Sequence, residues 1–294
     1  MAELRASLDR RLAEISAARP ELERALELQR TLLSRQIDML DVFRSGGIPS
    51  VSLPPRYLAA KLRTSVPALH GEPIPLPSKL LELSAREYCA HLAGSGAGEA
   101  AAAIGRAFEA GTLDAAAVIS ACFGRDQRRV RFMTAQQGLS PDIAWLVAEM
   151  ALAPFAHLLQ CRALATAHTT GSVRAWDRGY CPACGSWPAI AEAVAGRHTL
   201  RCSFCAAGWE LSSYRCLYCS NDGETFLTGA PDPKQPWRRL QMCGACGGYV
   251  KVLELVTPTE FPLVAVEDLA SMDLDLTAIE RKYIRPPLPE IRKR

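Results

Sequence analysis

No apolar run in this 294-residue chain is long and uninterrupted enough to span a bilayer, for the most hydrophobic stretch, residues 144–157, is cut by Glu149 and Pro154. No secretory leader opens the sequence either. Arg10-Arg11 is followed by Leu-Ala-Glu-Ile-Ser-Ala-Ala, not by a sustained apolar core, so the pair reads as an exposed helix face and not as an export signal. Charge of one sign is not in excess: a net +3 does not suggest a nucleic-acid binder, although ribbon-like four-cysteine modules often contact nucleic acid. The histidines His70, His91, His157 and His168 are scattered, and neither a nucleophile-base-acid set nor a phosphate-cradling glycine loop is present. These absences exclude membrane insertion and leave hydrolytic or nucleotide chemistry without its usual parts. The expectation is a cytoplasmic protein, not an enzyme, long enough for about two domains.

What the chain does have is cysteine in a pattern. Eight of its eleven cysteines fall into four Cys-x-x-Cys pairs, Cys181/Cys184, Cys202/Cys205, Cys216/Cys219 and Cys243/Cys246. Each such turn aims two thiolates at one ion, and two turns complete a tetrahedral sulfur shell. Seventeen residues separate Cys184 from Cys202 and twenty-three separate Cys219 from Cys243, which favours sequential pairing into two sites. Only ten separate Cys205 from Cys216, so an interleaved pairing stays open. Residues 188–194 and 197–201 predict a hairpin around Gly196-Arg197. In the second lobe, 224–228 and 237–242 predict strands around the loop opening at Gly229, with 249–256 as a further strand.

Each lobe has about 40 residues, too few for an adequate core, so a cross-linking ion must supply stability that packing cannot. In zinc-finger peptides that coupling is worth ~10 to 16 kcal/mol, and loss of one thiolate should unfold its lobe. A thiol-disulfide redox role is disfavoured for Cys181-Pro-Ala-Cys184, because Gly185-Ser186-Trp187-Pro188 blocks the helix that such chemistry needs. An iron-sulfur cluster is the stronger rival, and zinc and iron both accept tetrahedral sulfur. His198 lies inside the first hairpin, but eight cysteines already complete two shells. It reads as surface or as a neighbour of the ligands. A saturated shell has no open coordination position for hydrolysis.

The preceding half reads as helices over 3–17, 21–40 and 79–92, the second carrying an apolar stripe of Leu22, Leu26, Leu33, Ile37 and Leu40. Between them lies a proline-rich connector that begins after Ser45-Gly46-Gly47. Residues 98–138 predict a helical bundle with breaks at Gly105, Gly111 and Gly124, and Ser140-Pro141-Asp142 caps a long helix to about residue 167, kinked at Pro154. Cys89, Cys122 and Cys161 lack partners at ligand spacing and are expected in the core. Arg125, Arg128, Arg129 and Arg131 form the one dense basic cluster, a solvated face unless it meets an acidic partner. Trp187, Trp209, Trp237 and Tyr249 either pack the small lobes or anchor a partner.

The run Tyr180-Cys-Pro-Ala-Cys-Gly-Ser-Trp-Pro, with Leu200-Arg-Cys-Ser-Phe-Cys-Ala-Ala-Gly-Trp, Arg215-Cys-Leu-Tyr-Cys, Met242-Cys-Gly-Ala-Cys-Gly-Gly-Tyr-Val-Lys and Glu267-Asp-Leu-Ala-Ser-Met, resembles the formate dehydrogenase accessory protein (FdhE) family. The likeness is close over about 100 residues and has no cysteine missing. It implies a cytoplasmic maturation factor, or chaperone, that binds the catalytic subunit of respiratory formate dehydrogenase before export. It also implies two iron ions in rubredoxin-type sites, with zinc possible instead, held by the eight paired cysteines. The expected fold is α+β and multidomain: an all-α domain over 1–175, two small rubredoxin-like or zinc-ribbon-like β lobes over 176–213 and 214–258, and a C-terminal segment over 259–294. A zinc-ribbon nucleic-acid-binding or scaffold protein is the alternative.

Overall fold

The computed structural model describes residues 1–47, 53–169, 173, 176–229, 235–289 and 291. In chain order its helices are α1 Ala2–Ala18, α2 Glu23–Gly46, α3 Pro55–Arg63, α4 Ser78–Ala93, α5 Gly98–Ala110, α6 Ala115–Phe123, α7 Gln127–Ala135, α8 Pro141–Thr169, α9 Val264–Ala270 and α10 Met272–Glu280. The strands are β1 Pro188–Val194, β2 Arg197–Cys202, β3 Gly208–Trp209, β4 Phe226–Thr228, β5 Arg238–Cys243 and β6 Tyr249–Leu255. Two compact units result, Met1–Val51 with Gly71–Leu159 and Ser52–His70 with Gln160–Arg294. The chain is α+β, helices first and then a mixed sheet carrying two four-cysteine groups.

The first unit is helical. Its core joins Leu8 and Leu12 of α1 to Leu33, Ile37 and Leu40 of α2, all essentially inaccessible to solvent, as the apolar stripe demands. The second expected helix starts later than the periodicity suggests. Pro20–Leu22 forms a 3-10 turn, and α2 then runs on to Gly46 because Phe43 continues the buried stripe. Rings of Phe43 and Phe123 pack on Phe155 of α8 at centroid distances of 5.4 and 6.3 Å. Asp114 and Asp126 cap α6 and α7 by accepting from the amides of Ala117 and Arg129, and the Ser140 hydroxyl accepts from Ile143 at the start of α8. Gly111, with φ +70°, ends α5, but Gly105 lies within that helix and breaks nothing. There a Cβ would stand 3.2 Å from Cβ of Cys89, so the glycine serves close packing against α4.

Two other expectations are corrected here. α8 runs over about the expected length but contains one stretch, Pro141–Ala165, that by length and composition could cross a membrane. Its apolarity is used in packing, for Ala144, Val147, Ala151, Leu152 and Phe155 are all buried. The basic cluster is also split: Arg128, Arg129 and Arg131 are exposed on α7. Arg125 instead turns inward, pairing with Glu149 at 2.7 Å and lying 4.8 Å over the Trp145 ring.

The second unit is built on one six-stranded sheet in the order β3-β2-β1-β6-β5-β4. The first hairpin turns through Ala195 and Gly196, both at positive φ, the geometry that fits the twist of two antiparallel strands. β1 and β6 pair in parallel, Ile190 opposite Lys251, while every other neighbouring pair is antiparallel. Each lobe therefore supplies three strands, and the first strand of one meets the last strand of the next. β3 was not expected from the sequence, being two residues long. The loop after Gly229 lies outside the described residues. α10 covers part of the sheet, where Ala278 and Leu274 pack with Leu240, Met242 and Tyr249. Near the parallel seam, buried Lys251 makes 2.7 Å ion pairs with both Asp268 and Asp275, which Arg285 also engages.

The proline-rich connector is more than a linker. It forms α3 and then runs alongside the first cysteine turn, where the amides of Ala68 and Leu69 donate to the carbonyls of Pro182 and Ala183 at 2.7 and 2.9 Å. Lys61, buried in α3, stitches the segment by donating to the carbonyls of Ala68 and His70.

Candidate metal centres

All eight paired cysteines converge, sequentially, into two groups: Cys181, Cys184, Cys202 and Cys205, and Cys216, Cys219, Cys243 and Cys246. Within each group the sulfurs lie within 4.8 Å of one another. The interleaved alternative is thereby excluded as a geometry.

The same backbone device makes all four turns. The amide of the first cysteine donates five residues ahead, Cys181 to Ser186, Cys202 to Ala207, Cys216 to Asn221 and Cys243 to Gly248, at 2.8 to 2.9 Å. Its carbonyl accepts from the residue four ahead, Gly185, Ala206, Ser220 and Gly247 respectively. Each of those four residues has positive φ, at 85°, 55°, 64° and 71°. The reversal forces this left-handed step, which glycine adopts without cost and alanine or serine only when the surroundings hold it. Amides inside the turn then face the sulfur, as those of Ala183 and Phe204 do toward Cys181 and Cys202 at 3.4 Å.

The sulfur spacing fits a bound ion. Thiolates ~2.3 Å from a tetrahedral ion lie ~3.8 Å apart, and the observed separations are 3.5 to 3.7 Å in the first group and 3.7 Å in the second. A disulfide would need ~2.05 Å. Four soft donors at these distances suit zinc or iron equally.

The groups differ in their surroundings. All four sulfur residues of the first are buried, while Cys219 and Cys246 of the second are exposed. Burial pushes the thiols of Cys181 and Cys205 well above the ordinary range, and neighbouring thiols add to it. A divalent ion entering that group takes the place of those protons. In the second group burial acts the same way on Cys243, yet the amides of Cys246 and Ala245 and the thiols of Cys219 and Cys216 outweigh it and bring Cys243 down to about 7.

Other cysteines and histidines stay outside both groups. Cys89 and Cys122 are buried as expected, but Cys161 is exposed on α8, a correction that follows from its place on the helix face opposite Leu159 and Ala163. His198 is exposed on β2 and takes part in neither group. Of the aromatic candidates, Trp209 and Tyr249 are buried, Trp237 is about half exposed, and Trp187 joins a row of edge-to-face rings with Tyr180 and Tyr218. The sequence reading missed the residues at positive φ and the covering segment 67–69. A Cys-x-x-Cys-Gly signature marks the first and last of those turns at Gly185 and Gly247, but nothing local marks Ala206 or Ser220.

No family model matches the chain. A protein described as an FdhE homolog from Aquifex aeolicus is 31% identical over 115 residues, 37% of this chain and 40% of that protein. Protein FdhE of Escherichia coli O127:H6 is likewise 31% identical over 113 residues. The matched segment thus spans well under half of the curated relatives, 40% and 36% of their lengths. A crystal structure of the FdhE protein from Pseudomonas aeruginosa superposes with a TM-score of 0.57 at 23% identity, covering 98% of this chain and 94% of that one. The resemblance to FdhE proteins read from the cysteine turns is therefore borne out, in sequence over about a third of the chain and in fold over nearly all of it.

Proposed function

We propose that this protein is an accessory factor in the maturation of respiratory formate dehydrogenase, binding the enzyme's catalytic subunit in the cytoplasm before export and turning over no substrate itself. The observation that carries this reading is the pair of four-cysteine groups on one sheet, within a fold shared end to end with an FdhE protein. Cys181, Cys184, Cys202 and Cys205 hold one ion and Cys216, Cys219, Cys243 and Cys246 the other, iron in preference and zinc as the substitute. With four thiolates apiece the ions are saturated, so they shape a surface and leave no position for a substrate. The modest net charge of +3 favours a protein client over nucleic acid.

A strain lacking the protein provides the test. Respiratory formate oxidation should fall although the enzyme's subunits are still synthesised, and the tagged protein should co-purify with the catalytic subunit. Undiminished activity together with no complex would refute the proposal.

A further inference from the structure

Beyond Arg285 the chain continues as Pro286-Pro287-Leu288-Pro289, and among the described residues it is fastened in a particular way. Ile284 enters by donating its amide to the Gly247 carbonyl at 2.8 Å and bridging in parallel to Gly248, just after the last cysteine turn. Further on, the indole N–H of Trp187 donates to the Pro287 carbonyl at 2.7 Å. At the far end Ile291 rests over Gly185, after the first cysteine turn, so closely that a Cβ at Gly185 would stand 2.3 Å from Ile291 Cδ1, with Pro67 beside it. The tail thus passes from the turn of one centre to the turn of the other.

The surface beneath it has the parts of a site that reads extended peptides. Trp187 lies between Tyr180 and Tyr218, with ring centroids at 5.9 and 4.9 Å in edge-to-face contact. Aromatic rings with a donor aimed at a backbone carbonyl are how proline-rich segments are recognised, because such segments are already extended and lose little entropy on docking. Two glycines, Gly185 and Gly248, keep the floor open: a Cβ on the second would strike the Tyr218 ring at 2.4 Å. Among the described residues past Arg285, the Trp187 hydrogen bond and the seat of Ile291 over Gly185 fasten the occupant, and Pro287 is exposed.

We propose that the surface running from Gly247 and Gly248 past Trp187 to Gly185 is a recognition groove for an extended, proline-containing segment of a partner protein, and that the chain's own residues 284–289 and 291 occupy it in cis until such a segment displaces them. The inference goes beyond the accessory role and does not depend on which protein is the client.

The test uses the chain ended after Arg285, which retains the ion pairs of Arg285 with Asp268 and Asp275, and a fluorescent peptide of the sequence of residues 286–291. The shortened chain should bind the peptide saturably, and the full chain at least about tenfold more weakly, since a tethered competitor acts at an effective concentration in the millimolar range. Replacing the peptide's prolines by alanine, or Trp187→Phe in the shortened chain, should weaken binding severalfold. A shortened chain that keeps its metal content and melting temperature but ignores the peptide overturns the proposal, as does equal binding by both chains. Should the shortened chain not fold, full-length Ile291→Asp takes its place: expelling the tail's end from Gly185 should tighten peptide binding, and unchanged binding overturns the idea. No formate dehydrogenase enters the assay, so its failure is distinct from failure of the accessory role.

Discussion

The two cysteine centres share one backbone design and differ in what surrounds them. In the first, Cys181, Cys184, Cys202 and Cys205 are all buried, and the segment 67–69 hydrogen-bonds to the turn between Cys181 and Cys184. In the second, Cys219 and Cys246 face solvent. Identical ligand sets can therefore have different roles: an ion enclosed on every side is a cross-link that the fold cannot spare, while one reached from solvent can lose a ligand without exposing a core. The difference lies in the covering residues and not in the metal chemistry.

The largest effect should come from removing a ligand on each side. Cys202→Ser should empty the first centre and unfold β1 to β3, a loss on the order of 10 kcal/mol of binding-coupled stability, while the helical unit keeps its far-ultraviolet signal. Cys219→Ser should weaken its ion yet leave the sheet folded, because water can reach the fourth position. Metal analysis with hydrogen exchange on β1 and β5 reads both, and equal damage from the two variants would break the comparison.

Next in size is the rate at which each ion leaves. Challenged with excess chelator, the protein should lose metal in two phases, the exposed centre at least about tenfold faster, a difference of ~1.4 kcal/mol in barrier. The fast phase should become faster still in Cys219→Ser while the slow phase is unchanged. A single phase would mean that the covering segment opens as readily as the exposed face.

The smallest effect concerns the tie between the centres. Asp177, ahead of the first turn, pairs with Arg215, ahead of the second, at 2.6 Å and accepts from the Ser212 amide. Hydrogen bonding from Arg215 is the main cause that brings its carboxyl down to about 2, below the ordinary 3.8. A depressed folded-state value means stability that is fully present above the ordinary value and lost as pH falls through about 2. Asp177→Asn should thus cost less than ~1 kcal/mol, the side chain being partly solvated. The gap between variant and parent in denaturant melts should close in acid, and a gap that persisted there would assign the effect to something other than charge.

Much of the cysteine-rich half was legible because its signals are local. A Cys-x-x-Cys turn closes within six residues, and the hairpin 188–194 with 197–201 folds back through a short Ala195-Gly196 reversal, so both were read nearly to the residue. The connector was harder. Its prolines mark turns, but α3 and the donation from Ala68 and Leu69 to the first turn involve residues more than a hundred positions apart. Cys161 was misjudged because a cysteine's burial depends on which helix face is covered.

By itself the sequence determined that eight thiols would form two sulfur shells and that helices would precede them, because turn geometry and helical periodicity are set by neighbours along the chain. Only the tertiary structure decided that the two lobes share one sheet through a parallel β1 and β6 pairing. It likewise decided that one shell is enclosed and the other open, and that the tail lies across both. Parallel pairing, burial and docking all join segments far apart in sequence, and their free energy comes from excluding water between surfaces that no local pattern brings together.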